Sequence, residues 1–373
     1  MFFRDIVGQE EIKERLRRSV VEERISHAQL LAGGEGTGTL GLALAYAQYV
    51  SCSDRKEDDS CGTCPSCKKF AKLVHPDLHF VFPVIKTTKF KEPVSDNYID
   101  QWRGLLLESS YFNLEDWFKK IEVENSQGMI YVYESREIYR KLNLKSYEGE
   151  FKIMIIWNPE KMNEECANKL LKMIEEPPEK TLFLLVTEKE EDIITTIRSR
   201  CQLIKVPSIR DNDMEAALSG MPESKGRDIG TLVHLCNGNY RKALNTLRSE
   251  TDSWNLERFK ELMRLSYTRK FLELFKWVDV ISATGRESQK SFLLYAGRQV
   301  RENFIYNLKR PDLVYMDEPE SEFSQRFSPF INERNIASIA EELEKAWLHV
   351  VMNGNVRIIF TDLVLKIVVL IRK

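Results

Sequence analysis

The stretch from Gln29 to Val50, QLLAGGEGTGTLGLALAYAQYV, constrains the fold more than any other. An apolar run, Gln29 to Ala32, leads into Gly33-Gly34-Glu35-Gly36-Thr37-Gly38, and a small-residue amphipathic run follows. This is the strand, glycine loop and helix of a phosphate-binding fold. The glycines let the backbone turn tightly and aim N–H groups at a polyphosphate on the helix N-terminus. A working loop follows its last glycine with Lys, for the β- and γ-phosphates, and then Ser or Thr, for Mg²⁺. Here those positions hold Thr39 and Leu40. One lacks charge and the other lacks oxygen. The residues describe a nucleotide-binding architecture without its chemical centre or, on this stretch alone, a chance glycine-rich turn.

The chain around the loop alternates strand-like and helical runs, the mark of a parallel α/β sheet. Expected strands are Gln29–Ala32, Leu78–Val84, Met129–Tyr133, Lys152–Trp157, Thr181–Thr187 and Gln202–Val206, preceded by one or two short helices over residues 5–26. The run Phe151 to Ile156 is of the buried kind that ends in Asp-Glu in nucleoside triphosphatases, where the acids hold Mg²⁺ and polarise water. Here it ends in Trp157-Asn158. Two independent parts of one active site are therefore missing. Residues 86–127 break the alternation as a long aromatic and charged insertion carrying Trp102, Tyr111, Phe112, Trp117 and Phe118. The expected organisation is an α/β domain over 1–207, a small helical unit over 208–250 and an all-helical domain over 251–373, with an irregular link near Pro311 to Pro319. The helix from Val356 is apolar almost all round, so it packs against another subunit or is buried within its own domain.

Cys52, Cys61, Cys64 and Cys67 follow the spacing C-x8-C-x2-C-x2-C, four thiols within sixteen residues. Such a set can close a tetrahedron around a structural Zn²⁺. Gly62 and Pro65 supply the tight turns, and Asp54 to Asp59 forms a solvated loop between the first ligand and the others. Cys166, Cys201 and Cys236 are isolated and read as small packed hydrophobes, and His75 as structural rather than a ligand. The seven cysteines follow no secretion signal, which favours metal or free thiols over disulfides and a cytoplasmic location. Lys and Arg number 55 against 57 Asp and Glu, so no global basic field advertises nucleic acid. The most apolar segment carries Asp362 and Lys366 and does not read as a membrane span.

Downstream lie Asn168 to Pro178, NKLLKMIEEPP, a helix closed by a Pro pair, and then Ser199-Arg200-Cys201. Taken in order, FRDIVGQE, ISHAQLL, the four cysteines, HPD, NKLLKMIEEPP and SRC resemble the AAA+ clamp-loader subunits of bacterial DNA polymerase III. The resemblance covers roughly residues 1 to 250 well and the helical tail in general pattern. It implies an AAA+ P-loop-type domain with a zinc module, a helical lid and a C-terminal collar. The implied partners are gamma/tau and delta subunits, with the sliding clamp and primed DNA reached through the complex. Two sister types share these motifs, an ATP-hydrolysing one and one with a degenerate loop. Gly33, Gly36, Gly38, Thr39 and Leu40, with Trp157 and Asn158, place this chain with the second, for which ATP binding is not expected. The resemblance makes Arg200 an arginine finger acting in trans on a neighbour's ATP. Arg241 sits where ATP-binding members keep a phosphate-sensing arginine; without the loop lysine it reads as a surface ion pair. Residues 86–127 are longer than this resemblance accounts for. Two alternatives are a gamma/tau-type ATPase with an atypical site and a zinc-containing adaptor outside replication.

Overall fold

A computed structural model of the chain describes residues 1–123, 128–224, 228–248, 251–309, 313–316 and 318–373. The last four residues of the expected insertion, the end of the expected 208–250 unit and part of the 311–319 link lie outside the described residues. The chain divides into two compact units, one made of Met1–Pro222 and Cys236–Leu244, the other of Glu223–Leu235 and Asn245–Lys373.

The first unit is built on a five-stranded parallel sheet. In chain order its elements begin with α1 (Glu10–Val21), β1 (Ala28–Ala32), α2 (Thr39–Ser51), α3 (Pro65–Phe70) and β2 (Leu78–Val81). There follow α4 (Ile99–Glu108), α5 (Leu114–Lys120), α6 (Val132–Asn143), β3 (Lys152–Trp157), α7 (Glu164–Glu175) and β4 (Thr181–Thr187). It continues with α8 (Thr195–Arg198), β5 (Gln202–Lys205) and α9 (Asp211–Ser219). The strand order is β2-β3-β4-β1-β5, every neighbour parallel, which leaves β1 and its loop inside the sheet. Strands β1, β3 and β4 are buried at every residue, as parallel strands covered on both faces must be. Helix α2 covers one face, and all its residues from Thr39 to Val50 are buried.

The run Met129–Tyr133 is not a strand. Met129 makes an isolated antiparallel bridge to Val84 and Ile130 a parallel one to Met162, and the chain turns helical at Val132. The reason lies downstream, where Ser135, Ile138 and Leu142 recur at helical spacing and are buried. The second strand also stops at Val81, short of the expected Val84.

The helices α10 (Ile229–Cys236) and α11 (Tyr240–Arg248) straddle the boundary between the units in sequence. The second unit is helical, with α12 (Thr251–Thr268), α13 (Phe271–Ser282), α14 (Arg286–Asn307), α15 (Glu318–Phe327), α16 (Ile336–Val351) and α17 (Val356–Leu370). The last helix splits the two expectations for it. Phe360, Leu363, Val364, Ile367 and Val368 are buried in the core of their own unit, whereas Ile358, Leu365 and Val369 form an exposed apolar stripe. No helix among the described residues is long and apolar enough to cross a membrane.

Candidate functional site

The loop from Gly33 to Gly38 joins β1 to α2 as its sequence requires. Gly36 and Gly38 sit at φ of 74° and 88°, a region that side chains disfavour. The space around them is also taken. A Cβ on Gly36 would lie 2.1 Å from Asn239 Oδ1, and one on Gly38 would lie 3.2 Å from the Tyr111 hydroxyl. The Tyr240 amide donates to the Gly36 carbonyl at 3.2 Å, and the Gln9 amide group donates to the carbonyls of Thr37 and Pro207. Thr39 and Leu40 are both buried, as is the Trp157-Asn158 pair at the end of β3. Asn158 adopts a left-handed conformation with φ 53° and donates its amide to Val186.

Arg241 is not on the surface. Its guanidinium reaches Asp116 through Nε at 2.5 Å and Nη2 at 2.9 Å, and Glu35 through Nη1 at 2.6 Å, with 14% of the side chain exposed. Burial resists ionisation of Asp116, but the hydrogen bonds and charge of Arg241 outweigh it and hold the carboxyl below its ordinary value. Nearby Glu188, which follows β4, is pushed up to about 7 by burial, with the charges of Glu35 and Glu160 adding to the effect. The loop is thus flanked by the carboxylates of Glu35 and Asp116, both engaged by Arg241, and by that of Glu188.

The insertion is what brings Asp116 there. Trp102, Phe112 and Trp117 pack with Phe82 and Trp157, and Trp157 lies 5.1 Å from Trp102 and 5.3 Å from Phe112, centroid to centroid. The Trp117 indole donates to the Pro83 carbonyl at 2.8 Å. Asn113 caps α5 by accepting from the amides of Glu115 and Asp116. An aromatic, Trp157, therefore ends β3, and it anchors the inserted segment. Sequence reasoning left this segment without a role. The signal for one was its density of Trp and Phe beside a Trp at the end of β3.

Arg200 lies at the other end of the sheet. In the parallel register Gln29 pairs with Gln202 and Ala32 with Lys205, so the residues before Gln202 adjoin the start of β1 while the glycine loop follows its end. At about 3.3 Å per residue, that separates Arg200 from its own loop by roughly 15 Å or more. Its Nε pairs with Glu175 at 2.5 Å and its Nη1 donates to the Thr196 carbonyl at 2.9 Å, leaving 39% of the side chain exposed.

The four cysteines converge. Their sulfurs lie within 4.8 Å of one another, Cys52 to Cys61 at 3.6 Å and Cys61 to Cys67 at 4.0 Å. A tetrahedron of thiolates around an ion with bonds of ~2.3 Å has sulfurs about 3.8 Å apart, so the set fits a thiophilic cation. Backbone N–H groups point at the sulfurs: Thr63 and Cys64 to Cys61, and Cys67 to Cys64. The N–H of Cys64, then Thr63, pull the Cys61 thiol down to about 6. The expected solvated loop holds only to Asp58. Asp59 is buried and accepts from the amides of Phe3 and Arg4 at 3.2 Å. Of the isolated cysteines, Cys166 and Cys236 are buried and Cys201 is half-buried. His75 is buried against Phe70, and its Nδ1 accepts from the Asp77 amide.

A family model described as DNA polymerase III, delta subunit, matches residues 8–210. The chain is 26% identical over 314 residues to DNA polymerase III subunit delta' of Bacillus subtilis (strain 168), covering 83% of this chain and 81% of that protein. It is 27% identical over 190 residues to subunit delta' of Escherichia coli (strain K12), covering 51% and 45%. To subunit tau of Bacillus subtilis (strain 168) it is 28% identical over 200 residues, covering 54% of this chain but 28% of that protein. Among solved structures, a DNA polymerase III gamma subunit-related protein from Thermotoga maritima aligns over 96% of this chain and 99% of that one, at 15% identity and a TM-score of 0.48.

Proposed function

Because the chain belongs to the DNA polymerase III delta-subunit family, we propose that it works as a non-hydrolysing, delta-prime-type subunit of a cytoplasmic clamp loader. In this reading residues 208–250 act as the lid and the helices of 251–373 as the collar that joins gamma/tau and delta subunits. The assembled complex places the sliding clamp on primed DNA. The chain hydrolyses no ATP of its own, since Thr39 and Leu40 offer neither charge nor metal ligand and β3 ends in Trp157-Asn158.

Arg200 serves a neighbour. One observation carries this: the only arginine of the SRC motif lies at the far end of the sheet from its own loop, half-exposed, with no nucleotide chemistry on its own side to complete. Its planar fork can grip two phosphate oxygens and stays charged at all relevant pH. Reconstitution with gamma/tau, delta and the clamp tests the reading. Arg200→Ala is expected to leave assembly intact and to slow the one ATP site it faces by roughly 10³–10⁵. Total hydrolysis then falls without vanishing, and clamp loading falls further. A variant complex that loads clamps at the wild-type rate overturns the finger.

We read the cysteine set as a structural Zn²⁺ site, whose ion would tie Cys52 at the end of α2 to the start of α3. Four thiolates leave no open position for catalysis. Elemental analysis should find one zinc per chain, lost in Cys64→Ser together with the fold of residues 52–67. Reduced protein that folds without zinc overturns this assignment.

A further inference from the structure

The lost nucleotide chemistry and the added segment meet at one place. Trp157, in the position of the missing acid, packs on Trp102 and Phe112, and this aromatic cluster fixes the residues that follow. Tyr111 then lies beside Gly38, accepts from the Val7 amide at 2.9 Å and packs edge-on against Tyr240 at 4.8 Å between centroids. Five residues on, Asp116 holds Arg241 in a two-pronged contact, with Glu35 of the loop itself taking the third nitrogen. Asn113 donates to Glu35 at 3.3 Å and ties the two carboxylates into one network. The arginine that would sense a phosphate instead binds two fixed carboxylates, and the face of the loop at Gly38 is covered by a tyrosine.

Resting on the reading of a nucleotide-free loop, we infer that the segment from Tyr111 to Asp116 is a built-in occupant of that site. Its ring covers the loop at Gly38, and its carboxylate, with that of Glu35, takes the place of a polyphosphate in holding residues 236–244 against the loop. The arrangement needs no ligand to form. The contact that a nucleotide would make and break is here part of the chain. Carboxylates are suited to this substitution because they offer Arg the same pair of parallel acceptors as a phosphate does.

Hydrogen–deuterium exchange on the full chain tests this, followed in peptides spanning 33–42 and 236–244. In the wild type both are expected to exchange slowly and identically with and without Mg-ATP. Asp116→Ala should speed exchange of 236–244 at least tenfold, and Asp116→Glu should restore much of the protection. In the double variant Glu35→Ala with Asp116→Ala, inorganic pyrophosphate should slow that exchange again through the freed Arg241, while leaving the wild type unaffected. Unchanged exchange in Asp116→Ala overturns the inference, as does a double variant indifferent to pyrophosphate. Protection of the wild type that rises with Mg-ATP overturns instead the reading of a nucleotide-free loop on which it rests.

Discussion

At the exit end of the sheet Arg241 is locked between two carboxylates, with 14% of its side chain exposed; at the entry end Arg200 leans on Glu175, with 39% exposed. Both stand where the sequence resemblance places phosphate-reading arginines, yet their surroundings differ in every respect that matters. Arg241 makes a buried two-pronged contact supported by an aromatic cluster and a capped helix. Arg200 makes a short contact with a partner that is itself 44% exposed. The energetic consequence follows from solvent. Breaking the first pair strands a charge in a poor dielectric; breaking the second hands both charges to water. One arginine has become structure, and the other is free to leave.

Three substitutions probe this contrast. The largest effect should come from Asp116→Ala, which leaves Arg241 with Glu35 alone. Denaturant melts should show a loss of about 2–3 kcal/mol, below the ~3–5 of a fully buried pair. A loss no greater than that of an exposed pair would erase the distinction between the two ends.

The next concerns protons. Glu188 in the folded chain titrates near 7, raised first by burial. In the unfolded chain it titrates at the ordinary value near 4.3. Between those values the folded state holds the extra proton, so stability contributed by this group is present at low pH and declines as pH rises from about 4.5 to about 7. Glu134, buried beneath Ser95 and also near 7, adds a second decline of the same sign. Glu188→Gln should remove its share, on the order of 1–2 kcal/mol across that window. Thermal melts from pH 4.5 to 8 that keep the wild-type slope would count against a crowded acidic exit end.

The smallest effect should be that of Glu175→Ala. It removes the resting partner of Arg200 and should shift stability by no more than about 0.5 kcal/mol. In a reconstituted complex it should also leave clamp-stimulated hydrolysis at or above the wild-type level. Substantial destabilisation would mean that Arg200 is fastened after all, and the contrast would fail from the other side.

How far the sequence speaks for itself depends on the range of the contacts. The strand–loop–helix unit around Gly33 to Gly38 is readable because its signals are local: an apolar run, glycines at the positive-φ positions and a helix behind them. The cysteine spacing is equally local, and its four sulfurs do converge. Met129 to Tyr133 misleads because a β-rich apolar run is ambiguous until the helical period of the following residues is weighed. Arg241 misleads for a different reason. Its partner Asp116 lies 125 residues away, and no periodicity in either segment reports the meeting. The insertion can be seen as a departure from the α/β rhythm, but its purpose is written only in packing, above all in Trp102 and Phe112 against Trp157.

Helix α2 adds a consequence for what a substitution at its first residue can achieve. Every residue from Thr39 to Val50 is buried, and Thr39 and Leu40 at its start are 8% and 3% exposed. Thr39→Lys would have to seat an ammonium where a methyl now lies against the loop at Gly33. Burying an unpaired charge costs several kcal/mol. A lysine at position 39 of this chain would therefore bring a burial cost along with any charge it supplied, and that cost is set by the packing of α2 rather than by the loop.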